Sequence, residues 1–301
     1  MGASVVRATG LTFAYRGGRG VTGVDLDVTR GEVFGFLGPN GAGKTTTIRV
    51  LLDLIRPSSG TAEIFGLDSH SDSLAIRSRC GYLPGEFTLP ATLTGVQVLD
   101  WFSSLRPATP PVRRDELVQR FDVQLDRPMK QLSKGNRQKI GLVQAFQHSP
   151  ELAILDEPTS GLDPLVQDEF HRFIRGYAEE GGTVFLSSHS LDEVQHTADR
   201  VGIIRDGNLV TVESVDELRH RGVRRVTLTV AEGTGPQLEA SLRSLSGIDG
   251  VTRRGDVFDF VVTGEYAPLL KGLSDYPVLD MLSRAADLDE VFLALYRGLE
   301  E

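Results

Sequence analysis

Cysteine is almost absent from this chain. Of 301 residues only Cys80 carries a thiol, so no disulfide can close within it. The six histidines are scattered, with no Cys or His partner at ligand spacing, which leaves no metal site built by the protein alone. Long apolar runs are missing too. None approaches the roughly eighteen residues that cross a bilayer as a helix, and the N-terminus lacks a charged-then-apolar export signal. The sequence therefore predicts a chain with no transmembrane segment that stays in the cytosol. Positive charge is in deficit: 32 Lys and Arg against 41 Asp and Glu give a formal charge of −9, which argues against broad binding to nucleic acid or anionic membrane. Local arginine clusters at Arg77/Arg79, Arg113/Arg114 and Arg219 to Arg225 are expected to be solvated faces.

What the chain does contain is organised around Gly38-Pro39-Asn40-Gly41-Ala42-Gly43-Lys44-Thr45, which fits the spacing G-x-x-x-x-G-K-[ST]. Val33, Phe34, Phe36 and Leu37 before it read as a buried strand, and Ile48, Leu51, Leu52 and Ile55 after it recur at helical spacing. Glycines let successive backbone N–H groups curl round an anion while the following helix points its positive end at the same spot. This is a phosphate cradle. Lys44 would reach the terminal phosphates, the Thr45 hydroxyl would ligate Mg²⁺, and Thr46 would add a hydroxyl near the inner phosphate.

Around the cradle, strands alternate with helices. Val5 to Ala8, Leu11 to Tyr15 and Val24 to Val28 read as strands, with Gly17, Gly18 and Gly20 marking a turn. A stretch from Thr92 to about Phe146 reads mostly helical, with Val98, Trp101, Phe102 and Leu105 on one face. Leu152 to Leu155 and Thr183 to Leu186 are strands again, separated by a helix that starts at Asp163 and Pro164, and Ser190 and Glu193 have capping-box spacing for the next helix. The pattern predicts an α/β fold with a mostly parallel sheet and helices on both faces. From about Val223 strands near Val226, Val251, Val257 and Val278 and helices over Gln237 to Leu245 and Tyr266 to Leu273 give the order of a split βαβ module, followed by an amphipathic helix over Leu288 to Tyr296. Two domains are expected: 1–222, whose helical part covers about 90–146, and a small α+β domain over 223–301.

Two further motifs carry chemistry. Leu152 to Leu155 is an apolar strand that ends in Asp156 and Glu157; the first suits Mg²⁺, through water, and the second can polarise an attacking water. Leu132-Ser133-Lys134-Gly135-Asn136 precedes a helical run, with Ser133 as its N-cap. At this point the chain resembles the ATP-binding cassette (ABC) ATPases, whose signature is LSGGQ. From Val5 to Leu218 the motifs stand in the family's order. Tyr15 matches the aromatic that stacks on adenine. Gly38 to Thr45 matches Walker A, Asp156 and Glu157 match Walker B and its catalytic glutamate, Ser160 to Asp163 matches the D-loop, and His189 matches the switch histidine. Two departures stand out. Lys134 and Asn136 replace a glycine and a glutamine of the signature, and in the Q-loop Tyr82-Leu83-Pro84 is followed by Gly85 and Glu86 where the family has glutamine.

The resemblance implies a P-loop NTPase core with an antiparallel β-subdomain and a helical signature subdomain, and a small ferredoxin-like C-terminal domain. It implies ATP and Mg²⁺ as cofactors, and hydrolysis at Glu157 with His189 as the catalytic partner. It also implies a head-to-tail dimer in which Ser133, Lys134, Gly135 and Asn136 meet the nucleotide of the second subunit and Asp163 lies in the interface. A chain without a span would borrow its channel from a separate transmembrane permease, received beside Leu93 to Leu105, and would sit on the cytoplasmic side of the membrane. The tail Leu288 to Phe292 is similar to that of exporters of drugs, lipids or polyketides. The rival class is a soluble non-transport ABC ATPase acting on ribosome or nucleic acid; neither a second cassette nor a long coiled coil is present, and the acidic balance disfavours it. A non-hydrolysing module with a degenerate site is the third reading, kept open by Gly85.

Overall fold

The computed structural model describes residues 3–106, 109–221 and 224–285; the helix expected over Leu288 to Tyr296 and the exporter-like tail within it lie outside them. Two compact units are present, one of residues up to His189 with Glu193–Glu213, the other of Ser190–Asp192 with the chain from Ser214 onward.

The chain begins with β1 (Ser4–Ala14) and β2 (Gly20–Thr29), an antiparallel hairpin. Two strands were to be expected where β1 runs as one: Gly10 takes φ 58° and the register shifts between Ala8 and Leu11, so a bulge at a residue without a Cβ bridges the break. β3 (Val33–Leu37) is buried at every residue and leads through the glycine loop into α1 (Lys44–Leu51). β4 (Ser59–Ile64) and β5 (Leu67–Asp68) complete an antiparallel sheet of order β2-β1-β4-β5. After α2 (Ser73–Arg79) and β6 (Cys80–Leu83) comes the helical stretch, α3 (Gly95–Ser104), α4 (Arg114–Arg120) and α5 (Lys134–Phe146). α3 starts at a capping box between Thr94 and Gln97, and α5 at the Ser133 hydroxyl, which accepts from the Asn136 N–H at 3.1 Å.

Next are β7 (Leu152–Asp156), α6 (Pro164–Glu179), β8 (Thr183–Ser188), α7 (Leu191–Thr197), β9 (Arg200–Arg205) and β10 (Asn208–Ser214). They build a six-stranded sheet of order β10-β9-β3-β8-β7-β6, parallel from β9 through β6. Strands buried on both faces need apolar side chains throughout, and Phe34, Phe36 and Phe185 stack in this core. The topology brings the carboxyl ends of β3, β8 and β7 side by side, with Leu37 opposite Ser188 and Asp156 opposite Ser187. In such sheets ligands bind beyond these ends.

Two of the arginine clusters, at Arg77/Arg79 and Arg113/Arg114, are not simply solvated. Arg79 pairs with Glu151 at 2.7 Å and lies over the Phe65 ring, Arg113 pairs with Glu180 at 2.7 Å above Phe173, and Arg114 pairs with Asp100. Their stems cover apolar surface while their heads meet carboxylates, a use that charge counting does not reveal.

The second unit holds α8 (Val215–Arg221), β11 (Arg224–Val230), α9 (Gly235–Ser244), β12 (Ile248–Arg254), β13 (Val257–Val262), α10 (Ala267–Leu273) and β14 (Val278–Ala285). Its sheet order is β12-β13-β11-β14 with every neighbouring pair antiparallel, the split βαβ arrangement. Alternate residues of β11 and β13 point inward, so Val226, Leu228, Phe258 and Phe260 meet Leu238 and Leu242 of α9 in a separate core.

Candidate functional site

Helix α1 has Gly43 as its N-cap at φ 114°, with no side chain capping it. Its first N–H groups are thus left for an external acceptor, at the positive end of the helix. A side chain could not replace this glycine, because a Cβ there would stand 2.6 Å from Val21 Cγ1. Gly38 is equally confined, its hypothetical Cβ lying 2.4 Å from the Ile204 carbonyl oxygen. The loop borders a cavity of about 260 Å³ lined by Tyr15, Arg19, Gly20, Pro39, Asn40, Gly41, Gly43, Lys44, Thr45, Thr46 and Glu157. Of the predicted cradle residues, Gly38 and Ala42 are not among the lining; Ala42 is buried and its carbonyl accepts from Gly207 N–H. Tyr15 is half-exposed at the rim, edge-on to Phe13.

Lys44 is 6% exposed, and its ammonium donates to the Gly38 carbonyl at 2.6 Å and lies 3.1 Å from Glu157 Oε1. A buried ammonium needs such partners, and a phosphate entering the cradle offers it a stronger one. Thr45 Oγ1 donates to Asp156 Oδ2 at 2.7 Å, and Asp156 Oδ1 accepts from Ser187 Oγ at 2.6 Å, so both oxygens of this 1% exposed carboxylate are engaged. Glu157 follows with its backbone at φ 51°, a left-handed conformation rare for a residue with this side chain, held by its N–H donating to Ser187. That turn brings Glu157 Oε2 to 2.6 Å from His189 Nδ1. Three strand ends have therefore delivered Lys44, Asp156, Glu157 and His189 to one place. Sequence reading missed Ser187, which holds both acidic residues, and Arg19, whose guanidinium makes no hydrogen bond or ion pair among the described residues while lining the cavity.

At the start of α5, Lys134 donates to Ser160 Oγ at 3.2 Å, and Gly135 lies so close to Gly161 that a Cβ would stand 2.8 Å from its carbonyl oxygen. Asn136 turns its amide inward, accepting from Gln124 N–H at 2.9 Å and donating to Gln124 carbonyl at 2.8 Å. Gln138, two residues on, donates to the Pro158 carbonyl at 2.9 Å and so ties α5 to the loop after Glu157. Asp163 caps α6 by accepting from Val166 N–H at 3.1 Å. The positions where the family has its Q-loop glutamine split in two. Gly85 backs onto Asp156, with a hypothetical Cβ 3.1 Å from Oδ2, whereas Glu86 lines a second, more apolar cavity of about 450 Å³ with Tyr82, Phe87, Trp101, Phe102 and Leu105. Burial, and then the Asp156 charge, push the Tyr82 phenol up to about 12, so it stays neutral.

The family described as ABC transporter matches residues 21–160. The daunorubicin/doxorubicin resistance ATP-binding protein DrrA of Streptomyces peucetius is 34% identical over 96% of this chain and 92% of its own length. The bacitracin transport ATP-binding protein BcrA of Bacillus licheniformis is 38% identical over 72% of each. Among solved structures, an ATP-binding subunit of an ABC transporter superposes with a TM-score of 0.66 at 28% identity, over 71% of this chain and 92% of that one. A dimeric post-hydrolysis ATP-binding cassette bound to ADP and Pi shares the fold, with a TM-score of 0.61 at 21% identity over 70% and 98%. Phosphate loop, paired carboxylates, histidine and relatives converge on one conclusion: the chain belongs to the ABC ATPases that serve as ATP-binding subunits of ABC transporters.

Proposed function

We propose that this ATPase binds Mg²⁺-ATP at the glycine loop and hydrolyses it as half of a head-to-tail pair that drives a separate transmembrane exporter. The observation that carries the reading is the meeting of Lys44, Thr45, Asp156, Glu157 and His189 at neighbouring strand ends. Magnesium fits the donors present, since Thr45 Oγ1 and Asp156 Oδ2 are hard oxygens 2.7 Å apart. Among the described residues no group of three or more His, Cys, Asp or Glu could hold a metal by itself. Thr45 and Asp156 would hold the cation there, and it would supply charge neutralisation at the phosphates.

The chain's own residues then divide the work. Tyr15 stacks on the adenine and the N–H groups of the cradle hold the phosphates. Lys44 leaves Glu157 for the terminal phosphates, which frees that carboxylate to take the proton of the attacking water. His189, 2.6 Å from the same carboxylate, orients it and donates toward the phosphate oxygens as their charge grows. The exposed start of α5 supplies the second subunit's donors through Ser133, Lys134 and Gly135. The inward amide of Asn136 fixes that turn against Gln124, and Asp163 holds the intervening loop.

The 450 Å³ groove beside α3 is the proposed seat of the permease, with half-exposed Trp101 and exposed Leu105 at its mouth and Glu86 as its charged contact. No described helix is long and apolar enough to cross a membrane, so attachment to the cytoplasmic face would run through that partner. DrrA and BcrA carry drug resistance and antibiotic transport in their names, which supports export. Residues 1–222 would form the cassette and 223–301 an accessory domain. A Glu157→Gln chain tests the reading: ATPase turnover should fall by about 10²- to 10⁴-fold, while Mg²⁺-ATP should now trap a dimer on a sizing column. Unchanged turnover, or a monomer under those conditions, refutes it.

A further inference from the structure

None of the steps above uses the hydroxyl of Ser187, although this fully buried side chain is bonded to both acidic residues of the site. Strand β8 runs Thr183-Val184-Phe185-Leu186-Ser187-Ser188, so its apolar residues give way to serines only at the carboxyl end. An interior strand favours β-branched residues, and a buried hydroxyl costs stability unless it is bonded. Packing alone would therefore favour Val at position 187.

The sheet register gives the serine a different use. Ser187 lies opposite Asp156 of β7 on one side and Phe36 of β3 on the other. Its Oγ donates to Asp156 Oδ1 at 2.6 Å and accepts from the Glu157 N–H at 3.1 Å, an N–H shared with the Ser187 carbonyl at 3.3 Å. A hydroxyl has one proton and two lone pairs, so one atom can serve an acceptor and a donor together. With Oδ1 engaged, Oδ2 is the oxygen left facing Thr45 at 2.7 Å, where the cation would be held. With its N–H engaged, Glu157 keeps the φ of 51° that carries its carboxylate to His189 and Lys44.

We infer that Ser187 is a positioning residue for ATP hydrolysis, whose single hydroxyl sets both the rotation of the metal carboxylate and the backbone turn of the hydrolytic glutamate. The inference rests on the reading that Asp156 serves Mg²⁺ and Glu157 takes the proton of the attacking water. Removing a group that orients a metal carboxylate costs about 10- to 100-fold in metal affinity or activity. A misplacement of about 1 Å at a reacting group costs on the order of 10²-fold in rate. One hydroxyl therefore ties cation affinity to turnover, while the nucleotide contacts of the cradle do not pass through it.

The full-length chain gives the test through three readouts: kcat at saturating Mg²⁺-ATP, ADP affinity in EDTA, and the binding of Mn²⁺ to the ADP complex. Mn²⁺ stands in for Mg²⁺ because its free form is counted by electron paramagnetic resonance. Ser187→Ala should weaken Mn²⁺ binding by about tenfold and lower kcat by about tenfold or more. ADP affinity in EDTA should stay within about twofold, because the cradle and Lys44 are untouched. Ser187→Thr and Ser187→Val add nearly the same bulk to the buried site and differ in the hydroxyl. The Thr chain should exceed the Val chain by about tenfold in kcat and bind Mn²⁺ more tightly. Natural Mn²⁺ affinity or natural kcat in Ser187→Ala overturns the inference, and so do equal losses in the Thr and Val chains, which would leave packing as the only role. Asp156→Asn separates the inference from the reading beneath it. If that chain binds Mn²⁺ as the natural one does, the metal reading falls and the inference with it; a loss in Asp156→Asn with none in Ser187→Ala strikes the inference alone.

Discussion

Arg19 stands on the tight turn that also carries Tyr15, closed by the Tyr15 N–H donating to the Arg19 carbonyl at 2.8 Å and the Gly18 N–H to the Tyr15 carbonyl at 3.0 Å. An unpaired guanidinium beside a phosphate cradle adds one charge-assisted contact to a polyphosphate, screened because it is exposed. Arg19→Ala should therefore weaken ATP and ADP alike by about three- to tenfold at low salt, less at high salt, with Arg19→Lys recovering part. Equal affinities in a low-salt titration would show that the side chain faces solvent only. The sequence could reveal Lys44, Thr45, Asp156, Glu157 and His189, because each is tied to a local pattern or to a motif order along the chain. It could not reveal Ser187, Gln138 or Arg19. Ser187 reads as one more residue of a strand; the partner that gives it work is brought from elsewhere by the sheet, 31 residues away in the bond from Ser187 to Asp156.

Elements show the same division between pattern and context. Periodicity placed Val98, Trp101, Phe102 and Leu105 on one face of α3, but it could not say what covers that face. Val98 is fully buried, while Trp101 and Leu105 border the groove. Helix α5 is limited by a contact that no helical pattern encodes. Gly135 packs on the Gly161 carbonyl, and Gly161 itself needs φ 82°. Alanine ordinarily favours a helix over glycine by about 1 kcal/mol, so Gly135→Ala should help α5 if propensity decides. Here the added methyl would meet backbone oxygen at 2.8 Å, which cannot swing aside as a side chain could. The steric effect should win. Gly135→Ala is expected to leave ATP affinity within about twofold and to reduce nucleotide-driven dimerisation and kcat by about tenfold, through a shifted signature turn. Normal dimerisation on a sizing column would mean that the Gly161 loop yields freely.

At the scale of the whole molecule, each of the two units has apolar packing of its own among the described residues. One collects Val6, Leu11, Phe34, Phe36, Ile48 and Phe185, the other Val226, Leu228, Leu242, Phe258 and Phe260, and no residue belongs to both. A unit that buries its own apolar side chains can melt as a unit, and a ligand stabilises only the unit that binds it. Calorimetry of the full chain should therefore show two transitions. Mg²⁺-ATP at about a hundred times its Kd adds roughly 2.7 kcal/mol to the unit that carries the phosphate loop, and should raise that transition by several degrees while leaving the other in place. Phe258→Ala should do the converse, lowering only the second transition, because deleting a fully buried ring costs about 3–5 kcal/mol within its own core. If both perturbations moved a single shared transition, the two cores would be thermodynamically one, and the 223–301 segment would have to be understood as part of the ATPase engine rather than as an appendage to it.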